Sequence, residues 1–201
     1  MNVLAHALLA APGEDEMFGS LVADFHPRGA LDPSLPRGVR SGLVLHRAVD
    51  VYTDAHPEVR AARALFDPPL RRYAGILIDI WFDHLLAQDF SSHARWPLLE
   101  FSDTVQRLLR EREAELPPRM GGFAQYVARN GLPAAYREPA MIERVLHGMA
   151  GRLSRANPIA GALPELVARA QPLQRHFQRF FPELAAFAQS ELTRLEGDAV
   201  R

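Results

Sequence analysis

Residues 70–90 constrain everything around them. Read as one long helix, the stretch is apolar on nearly every face, most densely at Ile76, Leu77, Ile78, Ile80, Trp81, Phe82, Leu85 and Leu86. A helix with no polar face has no side to give to water, so other elements must enclose it. Yet it carries Asp79 and Asp83, four residues apart, with His84 beside the second. An unpartnered carboxylate buried there would cost several kcal/mol or would take up a proton. The fold must therefore bring an arginine, a set of hydrogen bonds or a divalent cation to those positions.

The rest of the chain has the pattern to form that enclosure. Val3, Leu4, Ala7, Leu8 and Ala11 recur at helical spacing behind Asn2, a favoured N-cap type. Pro12-Gly13 ends that helix, and 14–25 reads as a second one with Met17, Phe18, Leu21, Val22 and Phe25 inward. Pro27, Pro33 and Pro36 with Gly29 make 26–38 a loop. Helices are predicted at 39–54 and 56–66, with Pro57 in a first turn, then at 97–116, 123–130 and 139–153. Periodicity is weaker over 157–171. Two further helices, 173–180 and 182–195, are expected on either side of Pro182. No stretch alternates with period two. With 201 residues, 48% of them hydrophobic, the chain can fill one core. The prediction is a single all-α domain over residues 1–201, of roughly seven to nine helices.

Composition removes several functions. There is no cysteine, hence no disulfide, thiol nucleophile or thiolate zinc site. The net charge of −1 gives no reason to expect nucleic-acid binding. No apolar run reaches the roughly 18–20 residues of a membrane span, and the N-terminal stretch lacks the basic flank of a signal peptide. A cytoplasmic protein is expected. All 23 basic residues are arginine, a bias that base composition alone can produce. Metal chemistry would fall to the 8 histidines and 24 acidic residues.

Those residues are not scattered evenly. His46, Asp50 and Asp54 are four apart, so they lie along one stripe of their helix. Asp24 sits in the apolar run Leu21-Val22-Ala23-Asp24-Phe25, and His6 in Val3-Leu4-Ala5-His6-Ala7-Leu8. Four helices thus each carry a ligand-type residue on or beside an apolar face. Imidazole and carboxylate together suit Mn, Fe, Zn or Mg. Each residue also has an ordinary structural use: His6 as a hydrogen-bonded core residue, Asp24 as a loop contact, Asp54 as a cap for the helix at Pro57, Asp79 as a partner of Arg47 or Arg72. His26, His56, His93 and His176, near prolines or in polar surroundings, are given no role. Arg37, Arg40, Arg47, Arg60, Arg63, Arg71 and Arg72 form a local excess of positive charge. Such a run is either a solvated face or a surface for phosphate or an acidic partner. Arg47, between His46 and Asp50, is the phosphate candidate.

Taken in order, several of these motifs resemble one family. They are Met1-Asn2-Val3-Leu4-Ala5-His6, Gly19-Ser20-Leu21-Val22-Ala23-Asp24-Phe25, His46-Arg47-Ala48-Val49-Asp50 with Thr53, Asp54 and Pro57, and Asp79-Ile80-Trp81-Phe82-Asp83-His84-Leu85. The set resembles the acyl carrier protein phosphodiesterases, and the likeness returns at Val145-Leu146-His147-Gly148-Met149-Ala150 and Phe180-Phe181-Pro182. Ser20, Val3 and His147 depart from the family pattern, which has asparagine, phenylalanine and asparagine there; none of the three removes a ligand-type residue.

The resemblance implies an HD-like helical fold, distantly akin to the HD-type metal-dependent phosphohydrolases. It implies removal of 4′-phosphopantetheine from holo-acyl carrier protein with Mn²⁺, or with Mg²⁺, Fe²⁺ or Zn²⁺. It points to His6, Asp24, His46, Asp50, Asp79, Asp83 and His84 as metal-site positions. Asp24, His46, Arg47 and His84 are the expected catalytic residues, with His84 or His46 as proton donor and Arg47 on a phosphoryl oxygen. The acidic carrier would meet the arginines around Arg37, Arg40, Arg60 and Arg63. Two other readings stay open: an HD-type hydrolase of nucleotides or small phosphoesters, and a non-catalytic helical binding module with structural Asp/His/Arg pairs.

Overall fold

The central helix is α5 (Ala74–Gln88), and in the computed structural model it is buried from Leu77 to Ala87 except at Asp79. The structure describes residues 2–27, 29 and 31–197. Around α5 stand α1 (Val3–Ala10), α2 (Glu14–Val22), α3 (Arg37–Ala55), α4 (Pro57–Ala64), α6 (Leu98–Glu111), α7 (Gly121–Arg129), α8 (Pro139–Arg152), α9 (Leu163–Ala168) and α10 (Ala170–Gly197). Among the described residues there is no strand, and the buried apolar side chains form one contiguous core. The all-α expectation holds, with ten α-helices among the described residues rather than seven to nine.

Two differences in the helices have plain causes. The expected helix over 70–90 opens as a tighter 3₁₀ turn at Leu70–Tyr73, directly after Pro68-Pro69, before becoming α-helical. At the other end of the chain, the two helices expected around Pro182 are one. Leu173, Phe177, Phe180, Phe181, Leu184 and Ala188 continue a single buried stripe through the proline. Pro182 and Gln178 both face solvent, so the carbonyl the proline leaves unpaired lies on the wet side. Core packing on the other side keeps the helix going.

Asp83 solves the problem posed by a carboxylate in α5. It is fully buried and accepts backbone N–H groups of Asn2 (3.3 Å), Leu4 (2.7 Å) and Ala5 (3.3 Å). The first turn of any helix has N–H groups without intrahelical partners and a positive dipole end, and here a side chain from another helix supplies the acceptor. Asn2 acts as the predicted N-cap, its Oδ1 accepting Val3 N–H at 2.9 Å. Burial pushes the Asp83 pKa up to about 7, against the pull of those donors. Asp83 thus fixes α1, and with it His6, against α5.

α2 and α3 cross very closely. A Cβ at Gly19 would collide with the Val39 carbonyl, and one at Gly42 with the Glu16 carbonyl. The missing side chains let the backbones touch, which seats α2 against the first two turns of α3. Gly42→Ala is expected to cost about 2 kcal/mol through overpacking against rigid backbone. Gly148→Ala on α8, where an added methyl meets nothing within 4 Å, should be neutral or slightly stabilising. Denaturant titration of both variants checks the contrast.

Candidate metal centre

Two helices and the turn after α2 converge on one group of donor atoms. α1 supplies His6, α3 supplies His46 and Asp50 one turn apart, and the 3₁₀ turn Ala23–Phe25 supplies Asp24. His6 Nε2 lies 3.2 Å from Asp50 Oδ1, and His46 Nε2 lies 3.3 Å from Asp50 Oδ2. His46 Nε2 is also 3.3 Å from Asp24 Oδ1. The two imidazoles stack, with ring centres 3.8 Å apart and planes 16° from parallel. One ligand atom each from His6, His46 and Asp50 lies within 4.8 Å of the others.

The electrostatics of this group are uneven. Both rings are buried, whereas the Asp50 side chain is 45% exposed and that of Asp24 is 77% exposed. Burial opposes the imidazolium of His46, but Asp24 and Asp50 outweigh it and raise its pKa to about 9. Burial lowers His6 to about 4, and the neighbouring His46 charge adds to this. Two stacked imidazoles cannot both be charged at low cost. Asp50, despite some burial, is held well below the usual carboxylate range by its bonds to both rings; Asp24 is lowered chiefly by its bond to His46. The chemistry of the donor set fits a divalent cation. Two imidazole nitrogens and the Asp50 carboxylate converge, with Asp24 beside His46 and no sulfur, a set that suits Mn, Fe or Zn.

The other predicted residues lie elsewhere or are otherwise engaged. Asp79 lines the same space from α5, with its pKa raised by burial. Asp83 and His84 do not reach the cluster: Asp83 is occupied by α1, and His84 Nδ1 lies 2.7 Å from the Tyr136 carbonyl. Burial lowers the His84 pKa. The Arg47 guanidinium donates to the carbonyls of Pro27 (3.0 Å) and Gly29 (3.2 Å), pinning the 26–36 loop to α3 beside the cluster. Asp54 does not cap α4; it pairs with Arg63, and His56 takes the cap, its Nδ1 accepting Glu58 N–H at 3.3 Å. Arg37 is bonded to the carbonyls of Leu195 and Glu196 at the end of α10. Arg40 and Arg60 have no carboxylate partner among the described residues, and Arg60 is exposed.

Sequence reasoning passed over two contributors. His26 lines a cavity of about 630 Å³ together with Arg47, Asp50, Thr53 and Asp54. The adjacent proline marked His26 as loop, and the Arg47 contacts to Pro27 and Gly29 hold that part of the chain beside the site. Arg152, on the last turn of α8, lines a smaller cavity on the other side; nothing in its local pattern distinguishes it from a surface arginine.

A family model described as acyl carrier protein phosphodiesterase matches residues 1–184. The chain is similar to a protein of Klebsiella pneumoniae named acyl carrier protein phosphodiesterase, 34% identical over 192 residues, covering 95% of this chain and 99% of the relative. It is also similar to an Escherichia coli protein and a Shigella boydii protein of the same name, each 35% identical over 189 residues, covering 94% of this chain and 97% of the relative. No solved structure matches it. No helix among the described residues is long and apolar enough to cross a membrane.

Proposed function

The chain belongs to the acyl carrier protein phosphodiesterase family, and from that membership we propose that it hydrolyses the phosphodiester of holo-acyl carrier protein with a divalent cation held by His6, His46, Asp50 and Asp24. The products are apo-carrier and 4′-phosphopantetheine. The observation that carries the reading is the convergence of the His6, His46 and Asp50 donor atoms within 4.8 Å. Mn²⁺ suits this mixed nitrogen and oxygen set, as do Fe²⁺ and Zn²⁺, with Mg²⁺ as the harder alternative.

The cation would screen negative charge on the phosphoryl group and make water a stronger acid. The chain's own residues do the rest. Asp50 faces the Nε2 atoms of both rings, so its carboxylate would stand beside them as a third donor once their Nε2 protons are gone. His46 must give up its proton before its Nε2 can serve as a ligand. Arg47 holds the 26–36 loop and adds positive charge to the wall of the larger cavity, where phosphoryl oxygens would lie. Water attacks phosphorus, the bond to the carrier serine oxygen breaks, and that oxygen takes up a proton. Asp79, in the same wall, is a further candidate for holding the cation or that proton. Docking of the acidic carrier along α3 and α4 would fall mainly to Arg40 and Arg60, since Arg37 and Arg63 are engaged within the chain.

The test is to incubate the protein with holo-acyl carrier protein and Mn²⁺ and weigh the carrier by mass spectrometry. Loss of the phosphopantetheine mass, abolished by chelator, is the expected result. An unchanged carrier mass with the cation bound would overturn the reading. Faster cleavage of nucleotides than of the carrier would favour a general phosphohydrolase.

A further inference from the structure

The cluster stands between two cavities of opposite character. On one side is the larger one, about 630 Å³, walled by His26, Arg47, Asp50, Thr53 and Asp54. On the other is a cleft of about 210 Å³ whose apolar wall is Leu21, Phe25, Ile76, Ile80, Phe123 and Met149. His6, Asp24, His46 and Asp79 line both. A group resting on those four residues therefore borders both cavities, and its two substituents can enter one each.

The two substituents of the diester differ in the same sense. One is the serine of a folded, acidic protein, which cannot enter a space of 210 Å³ and is complementary in charge to Arg47. The other is a slender chain bearing a gem-dimethyl carbon close to the phosphate, then two amides and a terminal thiol. It is joined covalently to the phosphate, so it has to lie in a cavity that shares the cluster. Resting on the function proposed above and deepening it, we propose that the apolar cleft seats the pantetheine arm. The diester then lies across the cluster with its arm toward Ile76, Phe123 and Met149, and with the carrier serine toward Arg47.

The cleft is made for an apolar occupant. Ile76, Phe123 and Met149 are each only partly buried, so they have apolar surface left for a ligand to cover. Phe25 and Phe123, with ring centres 5.5 Å apart, join the turn after α2 to α7 and close one wall. Arg152 reaches the cleft with the Met149 sulfur, at 3.8 Å, as its one polar contact among the described residues. Its N–H groups can serve an amide carbonyl of the arm.

The experiment uses two readouts on the whole protein. Binding of pantetheine, without phosphate or carrier, is measured by calorimetry. Turnover of holo-carrier is compared with turnover of methyl 4-nitrophenyl phosphate, a diester with no arm. Ile76→Trp should weaken pantetheine binding at least about tenfold. It should also lower the ratio of kcat/KM for holo-carrier over the armless diester by a similar factor, mainly through KM. Met149→Trp, on α8, is the second variant should Ile76→Trp misfold; thermal melting verifies both. Unchanged pantetheine binding and an unchanged ratio in a folded variant would overturn the proposal. Should the wild type release no 4′-phosphopantetheine, the proposed function fails, and pantetheine binding alone still decides the cleft.

Discussion

Replacing Asp83 with alanine is expected to destabilise the protein by about 3 kcal/mol, the largest stability loss of any single change to a polar residue near the site. The side chain is fully buried and accepts three backbone N–H groups at the start of α1. Alanine would leave those donors buried without an acceptor, each costing about 1 kcal/mol or more, and would remove a negative charge from the positive end of a helix. Asp83→Asn keeps one oxygen acceptor but brings an amide with no evident partner, so about 1–2 kcal/mol is expected. Because α1 carries His6, activity should fall in parallel with the folded fraction and be recoverable by cooling or osmolyte. Denaturant unfolding and metal content at equal folded fraction check this. A fully stable Asp83→Ala protein that no longer holds metal would show that Asp83 is a ligand after all.

That prediction marks where the sequence could be read and where it could not. The burial of α5 follows from its composition, because no face of it is polar. His46 and Asp50 come together because a four-residue spacing fixes their geometry within one helix. A buried carboxylate in α5, by contrast, has several physical solutions of similar merit. A cation, an arginine and the N-terminus of a remote helix all satisfy it, and the choice between them depends on a partner 79 residues away. Asp83 took the helix end, although the presence of His84 beside it suggested a cation. The cap of α4 shows the same limit at short range. Asp54 and His56 both precede Pro57, and the histidine won because Arg63 engages Asp54. The arginine-rich stretch resolved into residues with different tasks, Arg37 on the end of α10 and Arg47 on the 26–36 loop. Tertiary hydrogen bonds of that kind leave no periodic trace.

Asp50→Ala should have the opposite signature: activity on holo-carrier lower by about 10³-fold, with stability changed by less than about 1 kcal/mol. The carboxylate is half exposed, so its bonds to His6 and His46 are screened and contribute little to folding. Its loss nevertheless removes the carboxylate that faces both Nε2 atoms and is one of the donors for the cation, and losing a direct donor costs at least as much metal affinity as losing an outer partner of an imidazole, about 10–100-fold. The pH dependence of the metal-free protein gives an independent check. His46 has a folded-state pKa of about 9, above the ordinary value of 6.5. Its protonation therefore favours the folded state fully below about pH 6.5, and that contribution is lost as pH rises through about 9. His6 acts on the acid side: with its pKa lowered to about 4, its contribution is lost as pH falls from about 6.5 toward 4. Removing Asp50 takes away one of the two carboxylates that raise His46, so the alkaline loss should shrink and move toward neutrality. Melting curves in chelator at pH 6, 8 and 10 read this directly. An Asp50→Ala protein with the wild-type alkaline profile and wild-type turnover would exclude Asp50 from the centre.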